Sequence, residues 1–540
     1  MRGLMMDFPL TIPTILRRAE SLFGHKQVVT RLPDRSIVKR PYAEVIDRAK
    51  RLAVALTELG VRPGDRVATL GWNTQQHLEA YLAIPSAGAV LHTLNLRLHC
   101  DDLSYIVNDA DDQVLLLDAS TLPIYEQFKD RVRIKKVIVM APVPGQHGGD
   151  LLDYETLVGA ADAGRYTEAD LDERDAAAMC YTSGTTGRPK GVLYSHRALM
   201  LHSLAQAARD CLGVSEADVV LPVVPMFHVN AWGLPFTCTM VGATQVFPGP
   251  CLDPDSLLEL FVSERVTVTA GVPTVWMGLL QALDKAPGTY DLGAMRAIVC
   301  GGSAASPALI RAFQERHALT IVHAWGMTEM TPLGTVCTVP SYLADAPFDA
   351  QLAYRARQGV PQTLVEIRAR TDNGFAPWDG KTMGELEVRG PWVAASYYNS
   401  DGPDDRFTDD GWFRTGDIVT IGERGCIELT DRAKDLVKSG GEWISTVALE
   451  VALMGHPAVA EAAVIAVPHP KWDERPLAVV VLKTGQRASA DELRAFLAPN
   501  FAKWWLPDAI EFAPEIPRTS VGKFRKTTLR DKYRDRYQTV

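Results

Sequence analysis

Short apolar runs alternate with amphipathic stretches along the chain up to about residue 360. Between residues 42 and 59, apolar side chains recur at three- and four-residue steps and Gly60 follows, which predicts a helix with a stop signal. Residues 67–70, 114–117 and 137–140 are short apolar runs with polar flanks, as buried strands are. Helices that alternate with such strands predict a layered α/β fold with largely parallel sheets.

The pattern changes after residue 360. Residues 363–370, 384–389 and 417–421 alternate between apolar and polar and are separated by turns, which predicts a β-rich, antiparallel subdomain. The remainder of the chain mixes helix-like and strand-like stretches in a short length. Because 540 residues are too many for one ordinary core, we predict a large α/β domain over residues 1–432 and a small α+β domain over residues 433–540.

Composition and charge restrict the class of protein. The chain is 47% hydrophobic and 22% charged, which excludes disorder for most of its length. Its 56 basic and 65 acidic residues leave a net charge of −9, so no global basic field is present to bind nucleic acid or an anionic membrane. The most apolar stretch, residues 80–96, is interrupted by Pro85 and Ser86, and we predict no membrane span.

The cysteines and the first residues of the chain indicate the cellular compartment that we expect for the protein. The eight cysteines are far apart and form no CxxC or Cys/His cluster, which argues against a disulfide scaffold and against a zinc site. The opening sequence MRGLMMDFPLTIPTILRRAE has no long apolar core before a small-residue cleavage site, so we predict no signal peptide. We therefore expect a reduced, cytoplasmic enzyme.

A loop rich in glycine, serine and threonine spans residues 181–192, YTSGTTGRPKGV, between an apolar strand and a helix-like run. Glycines let backbone N–H groups converge on an anion, hydroxyls add donors, and Lys190 adds a positive charge. The spacing is not that of a P-loop, because Pro189 stands where its second glycine would be. A flexible surface loop is the usual alternative, but the length, the lysine and the position after a strand favour a phosphate site.

Further motifs follow this loop. They are WGMTE at 325–329, Tyr398, WFRTGD at 412–417, DRAKD at 431–435, KSGGEWIS at 438–445 and PRTSVGK at 517–523. In order and spacing they resemble the adenylate-forming superfamily of acyl-CoA synthetases, firefly-type luciferases and peptide-synthetase adenylation domains, over essentially the whole chain. Residues 226–233, 269–276 and 503–508 are most similar to bacterial medium- and long-chain fatty-acyl-CoA ligases and to methylthiopropionate-CoA ligases.

The resemblance implies that a carboxylic acid attacks the α-phosphate of ATP, giving an acyl-AMP and pyrophosphate, and that the acyl group then passes to CoA. Because a carboxylate and a triphosphate repel, such a site supplies positive charge and positioning rather than a covalent nucleophile. An alternative keeps the adenylation but transfers the acyl group to an amine without CoA. A non-catalytic protein on this fold is a third hypothesis, and it predicts a damaged motif. The motif residues that argue against it are Thr328, Glu329, Asp417, Arg432 and Lys523.

By the same resemblance, ATP and Mg²⁺ are held by the loop and by the motifs that follow it. Thr328 donates to phosphate, and Glu329 offers the hard oxygen that Mg²⁺ prefers, although alone it would also fit a helix-start carboxylate. Trp325, where many relatives have tyrosine, stacks on adenine, and Asp417 accepts the ribose hydroxyls. The predicted ATP and AMP contacts are Thr182, Ser183, Gly184, Thr185, Thr186, Gly187, Lys190, Gly302, Ser303, Ala304, Trp325, Gly326, Met327, Asp417 and Arg432.

Lys523 is the strongest catalytic candidate. A solvated charged tail would explain the basic residues beyond Arg525, but not a single lysine fixed by the PRTSVG turn. By resemblance Lys523 bridges the incoming carboxylate and the α-phosphate.

The resemblance also implies that the small domain is mobile and swings about Lys434 for the second step. Gly440 and Gly441 would then give the pantetheine arm of CoA a flat backbone, and Trp443 would either gate the acyl channel or pack at a domain interface. The hinge and CoA-channel candidates are Lys434, Lys438, Gly440, Gly441 and Trp443.

The acyl pocket follows from the segments most similar to fatty-acyl-CoA ligases. We count His228 among the catalytic candidates with Lys523, Thr328 and Glu329, but favour a wall or gate over a general base, because an acyl-AMP already has a good leaving group. No aspartate opens the pocket motif to pair an ammonium, so an apolar acid is favoured over an α-amino acid, and the nearest relatives make a homodimer plausible. The pocket candidates are His228, Val229, Trp232, Gly233, Gly271, Val272 and Pro273, with Trp276 as a further one.

Overall fold

A computed structural model of the chain describes residues 1, 3–141, 150–182, 188–400, 404–439, 442–518 and 524–537. The helices of these ranges, in chain order, are α1 (Ile12–Phe23), α2 (Tyr42–Glu58), α3 (Gln75–Ser86), α4 (Cys100–Ala110), α5 (Leu122–Tyr125), α6 (Tyr154–Ala160), α7 (His196–Ala207), α8 (Val229–Trp232), α9 (Leu234–Val241), α10 (Pro254–Ser263), α11 (Pro273–Lys285), α12 (Pro307–His317), α13 (Phe348–Arg355), α14 (Thr446–Met454), α15 (Ala490–Leu497) and α16 (Lys526–Tyr533).

The strands form four sheets. In chain order they are β1 (Gln27–Arg31), β2 (Ile37–Pro41), β3 (Arg66–Leu70), β4 (Val90–Thr93), β5 (Asp112–Asp118), β6 (Lys136–Met140), β7 (Leu151–Asp153), β8 (Ala176–Tyr181), β9 (Gly191–Ser195), β10 (Val219–Pro222), β11 (Thr244–Phe247), β12 (Val268–Gly271), β13 (Ala297–Cys300), β14 (Ile321–Gly326), β15 (Leu333–Cys337), β16 (Val360–Pro361), β17 (Glu366–Thr371), β18 (Gly374–Phe375), β19 (Gly384–Arg389), β20 (Phe413–Ile421), β21 (Ile427–Arg432), β22 (Val437–Ser439), β23 (Glu442–Ile444), β24 (Val459–His469), β25 (Asp473–Leu482) and β26 (Ala509–Phe512).

Two large, mostly parallel sheets form the α/β part. One has nine strands in the order β16-β15-β14-β13-β12-β10-β11-β1-β2, and the other has seven in the order β7-β6-β5-β3-β4-β8-β9. In the first, β10, β12, β13 and β14 are successive parallel neighbours, so their carboxyl ends lie along one edge. Open parallel sheets place ligands outside such carboxyl ends. The layered, largely parallel α/β prediction is confirmed.

Mainly antiparallel sheets build the rest, as predicted for the region after residue 360, and the pairing of β25 with β26 is parallel. A five-stranded sheet runs in the order β18-β17-β19-β20-β21, and a second one in the order β23-β22-β25-β24, with β26 pairing beside β25. Two hydrophobic clusters are built from residues 437–537, on the two faces of the long β24–β25 hairpin. They support the predicted small domain, whose boundary at residues 432 and 433 stays a prediction.

Apolar periodicity located the elements predicted above to within a few residues. The predicted helix over residues 42–59 is α2, and the strand predicted over residues 67–70 is β3. The strand β24 extends beyond the apolar run of residues 462–467 at both ends, and the polar Glu461 lies within its ladder with β25. None of the described helices is long and apolar enough to cross a membrane.

His202 shows how deeply polar groups are enclosed in this core. It lies on α7 with 1% of its surface exposed, accepts the N–H of Leu333 on Nε2 (3.3 Å), and packs edge-on against Trp392. Burial lowers the pKa of His202 from 6.5 to about 3, because the charged ring would lose its hydration.

We expect the melting temperature to fall between pH 7 and pH 5, and to fall less in a His202→Gln variant. The unfolded chain binds a proton on this ring below pH 6.5 and the folded chain does not, so stability decreases as the pH falls through that window, by about 2 kcal/mol at pH 5 for this group. Thermal unfolding of both proteins at the two pH values measures the difference. The exposed His25, changed to Gln, is the control. An equal fall in wild type and His202→Gln would contradict the prediction.

Candidate functional site

The carboxyl ends of two neighbouring strands, β13 and β14, bring several of the predicted nucleotide residues together. Gly302–Ala304 follow β13, while Trp325 and Gly326 end β14 and a single 3₁₀ turn, Thr328–Met330, comes next. Since β13 and β14 are parallel neighbours, these segments lie side by side at one edge of the sheet. Gly302 has a left-handed φ of 81°, which glycine adopts without a Cβ clash.

Glu329 is a buried carboxylate with a specific environment. Only 4% of the residue is exposed, and its Oε1 accepts the hydroxyl of Tyr397 (2.6 Å) and an N–H of Arg406 (3.3 Å). Burial and the nearby Glu329 raise the pKa of Tyr397, so the phenol remains a hydrogen-bond donor. No hydrogen bond reaches Oε2 within the described part of the chain. One buried carboxylate oxygen left open beside a phosphate-type loop fits a hard cation such as Mg²⁺.

Trp325 and Asp417 are buried and form a second group with Arg432, whose side chain is 39% exposed. The indole N–H of Trp325 donates to Oδ2 of Asp417 (2.8 Å), and Arg432 pairs with its Oδ1 (Nε–Oδ1 2.5 Å). Asp417 and Arg432 are register partners on β20 and β21, which fixes this pairing. The carboxylate of Asp417 is therefore held by one hydrogen bond, from Trp325, and by an ion pair with Arg432 before any ligand is bound.

The Trp325 ring is constrained on one side, because a Cβ at Gly334 would come within 2.4 Å of it. Stacking on adenine remains a prediction for its other face.

The two ends of the predicted phosphate loop are in place. The N–H of Thr182 donates to the carbonyl of Lys190 (2.9 Å), and the N–H of Lys190 donates to the Thr182 hydroxyl (3.1 Å). The ammonium of Lys190 pairs with Asp404 (2.6 Å) and lies 4.5 Å from the ring centroid of Tyr397. The intervening candidates, Ser183, Gly184, Thr185, Thr186 and Gly187, lie outside the described residues.

The predicted acyl-pocket residues come from three adjoining strand ends. His228 is half-buried and precedes α8, whose residues Val229–Trp232 all have φ between 46° and 58°, so that this turn is left-handed. A Cβ at Gly301 would lie 3.1 Å from the Trp232 ring, which places this indole beside the turn that follows β13. Gly271 ends β12, and Val272 and Pro273 begin α11. Trp276 is fully buried against Gly271 and belongs to the core.

The predicted hinge lies in a charged environment. Burial lowers the pKa of Lys434, and the nearby Arg432 and Arg530 lower it further. Arg530 of α16 pairs with Asp435, and Asp431 accepts the N–H (2.5 Å) and hydroxyl (2.7 Å) of Thr446 at the start of α14.

Beyond the hinge the candidates divide into two groups. Lys438 and Trp443 are opposite each other on β22 and β23, with the ammonium 5.9 Å from the indole, which is 45% exposed. Trp443 therefore does not plug a channel in this arrangement. Gly440, Gly441 and Lys523 lie outside the described residues.

Sequence analysis missed three residues of the site. Tyr397, Asp404 and Arg406 contact Glu329 or Lys190, yet none belongs to a quoted motif. Tyr398 was the one indication of this region in the sequence, but the residue that contacts Glu329 is its neighbour Tyr397.

Comparisons with known proteins agree with this geometry. Residues 23–398 match the family model described as AMP-binding enzyme, and residues 448–523 match the model for the AMP-binding enzyme C-terminal domain. A long-chain-fatty-acid–CoA ligase of Thermus thermophilus is 50% identical over 539 residues, which cover 99% of this chain and 97% of that protein. A 3-methylmercaptopropionyl-CoA ligase of Ruegeria pomeroyi is 44% identical, with 99% of both chains covered.

A crystal structure of an anthranilate CoA ligase in complex with anthranoyl-AMP is similar in fold, with a TM-score of 0.86 and 25% identity over 97% of this chain and 98% of that one. An amide bond synthetase from Marinactinospora thermotolerans has a TM-score of 0.83 and 26% identity, over 97% and 99% of the two chains.

We expect Trp325→Phe to keep the flat ring but to weaken ATP binding by about tenfold, because the N–H that orients the Asp417 carboxylate is lost. The variant should also discriminate less between ATP and 2′-deoxy-ATP, since a poorly oriented carboxylate gains less from the ribose hydroxyl. Dissociation constants for both nucleotides measure this. Trp412→Phe is the control, because that indole packs on Arg368 and Arg389. An unchanged ATP/2′-deoxy-ATP ratio in Trp325→Phe would count against the role of the N–H.

Proposed function

This chain belongs to the AMP-binding enzyme family, and from that premise we propose the reaction that its site supports best. It is an ATP-dependent, AMP-forming acid–thiol ligase: a carboxylic acid and ATP give an acyl-AMP and pyrophosphate, and the acyl group then passes to the thiol of CoA. The observation that carries this conclusion is the convergence of Glu329, Lys190 and the Trp325–Asp417–Arg432 group at the carboxyl end of one parallel sheet.

The first half-reaction brings two anions together, and the residues of the site reduce that repulsion. Lys190 and the loop from Thr182 bind the β- and γ-phosphates, with the Thr328 hydroxyl as a further donor. Asp417, with Trp325 and Arg432 orienting it, accepts the ribose hydroxyls, which fixes the α-phosphate relative to the pocket. Fixed donors of this kind lower a barrier because they need no reorganisation during the reaction.

Mg²⁺ is the cation we propose for Glu329. The support is its open Oε2, held in a fixed direction by Tyr397 and Arg406 on the other oxygen. When bound, Mg²⁺ neutralises phosphate charge. By the resemblance to adenylate-forming enzymes, Lys523 then supplies the ammonium that bridges the carboxylate and the α-phosphate.

The acid is apolar and of medium or long chain. Support comes from two relatives, at 50% and 43% identity, that are named for long-chain and medium-chain fatty acids. The pocket candidates also offer no charged partner to a substrate: Val229, Trp232, Gly233, Val272 and Pro273. His228 forms a wall or gate of this pocket. Because relatives at that identity are named CoA ligases, the acceptor is the CoA thiol, and the amine alternative is not favoured.

For the second half-reaction, we propose that residues 433–540 rotate about Lys434 against residues 1–432. Lys438, Gly440 and Gly441 would then line the pantetheine path, and Trp443, exposed here, would close the acyl channel. Rotations of a small domain that complete a site are a common way to separate two chemical steps.

Two further proposals concern the setting of the enzyme. A cytoplasmic location is supported by the cysteines, because all eight are free thiols in the structure. A homodimer is proposed from the resemblance to the fatty-acyl-CoA ligases alone.

We expect purified protein with ATP, Mg²⁺ and octanoate to release pyrophosphate and accumulate acyl-AMP, and to form octanoyl-CoA only when CoA is added. Mass spectrometry of the products, with CoA or with an amine as acceptor, measures this.

Lys523→Ala is expected to keep its fold by circular dichroism and to lose most acyl-AMP formation. Unchanged pyrophosphate release by this variant, or an amide in place of a thioester, would contradict the proposal.

We expect Lys434→Pro to leave acyl-AMP formation within about twofold of wild type and to lower thioester formation at least about tenfold, because proline fixes φ at the proposed pivot. Each half-reaction is measured separately, the second from synthetic acyl-AMP and CoA. Lys434→Ala is the matched control and should affect both half-reactions less. Equal loss in the two half-reactions would exclude a hinge at this position.

A further inference from the structure

Three residues outside every quoted motif connect the two halves of the phosphate site. Asp404 binds the Lys190 ammonium, Arg406 binds the Glu329 carboxylate, and Tyr397 contacts both charged groups. They belong to the connection between β19 and β20, which crosses over from the five-stranded sheet to the phosphate loop.

The Asp404–Lys190 pair is asymmetric in its exposure. The Asp404 side chain is 13% exposed, whereas that of Lys190 is 48% exposed, at an Nζ–Oδ2 distance of 2.6 Å. The other oxygen of Asp404 accepts the backbone N–H of Arg406 (3.0 Å), so the carboxylate is fixed on its own side. Hydrogen bonding to Lys190 helps to hold the pKa of Asp404 below its usual value against the effect of burial.

Arg406 fixes the same connection to Glu329. Its guanidinium donates to the Tyr397 hydroxyl (2.8 Å), to Glu329 (3.3 Å) and to the carbonyls of Arg414 (3.2 Å) and Thr415 (3.2 Å). Charges of opposite sign therefore alternate along the chain of contacts from Glu329 through Arg406 and Asp404 to Lys190. This arrangement ties the position of the lysine to that of the carboxylate.

An ammonium group has three N–H donors, and Asp404 occupies one of them. Because half of the Lys190 side chain faces solvent, the remaining donors can bind phosphate oxygens while the Asp404 bond persists. An ordinary surface pair contributes little, since both long side chains lose freedom when they meet. Here one partner is already fixed, so Asp404 limits the directions that Lys190 can take.

We propose that Asp404 is a positioning residue for ATP: it aims Lys190 at the polyphosphate, and Arg406 and Tyr397 hold it in register with Glu329. The inference rests on the proposed function, in which Lys190 contacts the β- and γ-phosphates. It adds a determinant of nucleotide affinity that no motif marks.

The test is Asp404→Asn, which keeps the shape of the side chain and an oxygen for the Arg406 N–H. We expect the dissociation constant of a non-hydrolysable ATP analogue, measured by calorimetry with Mg²⁺, to rise about tenfold. The kcat of pyrophosphate release at saturating ATP should stay within about twofold, since Asp404 does not touch the reacting atoms. Asp405→Asn removes the neighbouring exposed carboxylate and is expected to match wild type.

A double-mutant cycle distinguishes positioning of Lys190 by Asp404 from a general effect of the local charge on ATP binding. If Asp404 acts through Lys190, Asp404→Asn should have little further effect in a Lys190→Met background. If it only changes the local charge, the two effects should multiply. Melting temperatures of all four proteins monitor folding, and Asp404→Glu, which keeps the charge, should recover part of the affinity.

Unchanged or tighter binding of the analogue by Asp404→Asn would overturn the inference, and so would multiplicative effects in the cycle. Failure of the proposed function has a different signature, because wild-type protein would then form no acyl-AMP with any acid and would show no Mg²⁺-dependent ATP binding.

Discussion

Parallel pairing of β10, β12, β13 and β14 is the constraint on which the site depends. Their carboxyl ends share one edge, so the segments that leave them must meet there. The acyl-pocket residues follow β10 and β12, and the nucleotide residues follow β13 and β14. The place proposed for the meeting of the acid and the α-phosphate is thus set by strand order.

Around this edge, charged groups are paired before a substrate arrives. Asp417 has Trp325 and Arg432, and Glu329 has Tyr397 and Arg406. Buried carboxylates without such donors would be costly, because burial removes their hydration. The contacts that offset this cost also fix each carboxylate in direction, so that fold stability and the proposed orientation of the substrate depend on the same contacts.

Sequence patterns predicted much of this structure. Apolar periodicity found α2, β3 and the antiparallel character of the region after residue 360, because these depend on local burial. The motifs brought Thr328, Glu329, Trp325 and Asp417 to one site because each follows or lies within a strand.

Asp404 and Arg406 escaped notice for a physical reason. Their partners, Lys190 and Glu329, lie 214 and 77 residues away in the chain, and a carboxylate or guanidinium in a connecting segment has no periodicity. Trp325 was expected only to stack on adenine, and the bond of its N–H to Asp417 depends on two separate sheets meeting.

The left-handed turn Val229–Trp232 has a consequence for how this pocket can diversify. L-residues disfavour this hand by about 1–2 kcal/mol each. Here Val229, Asn230 and Ala231 are buried, and the Asn230 side-chain oxygen accepts the Cys180 thiol (3.1 Å). Side chains on a turn of reversed hand leave the backbone in the opposite rotational order. In the proposed acyl pocket, substitutions in this turn would change the size of the side chains but not the directions in which they leave the backbone. A change in the preferred length of the acid is therefore easier to reach in this fold than a change in the direction of the pocket.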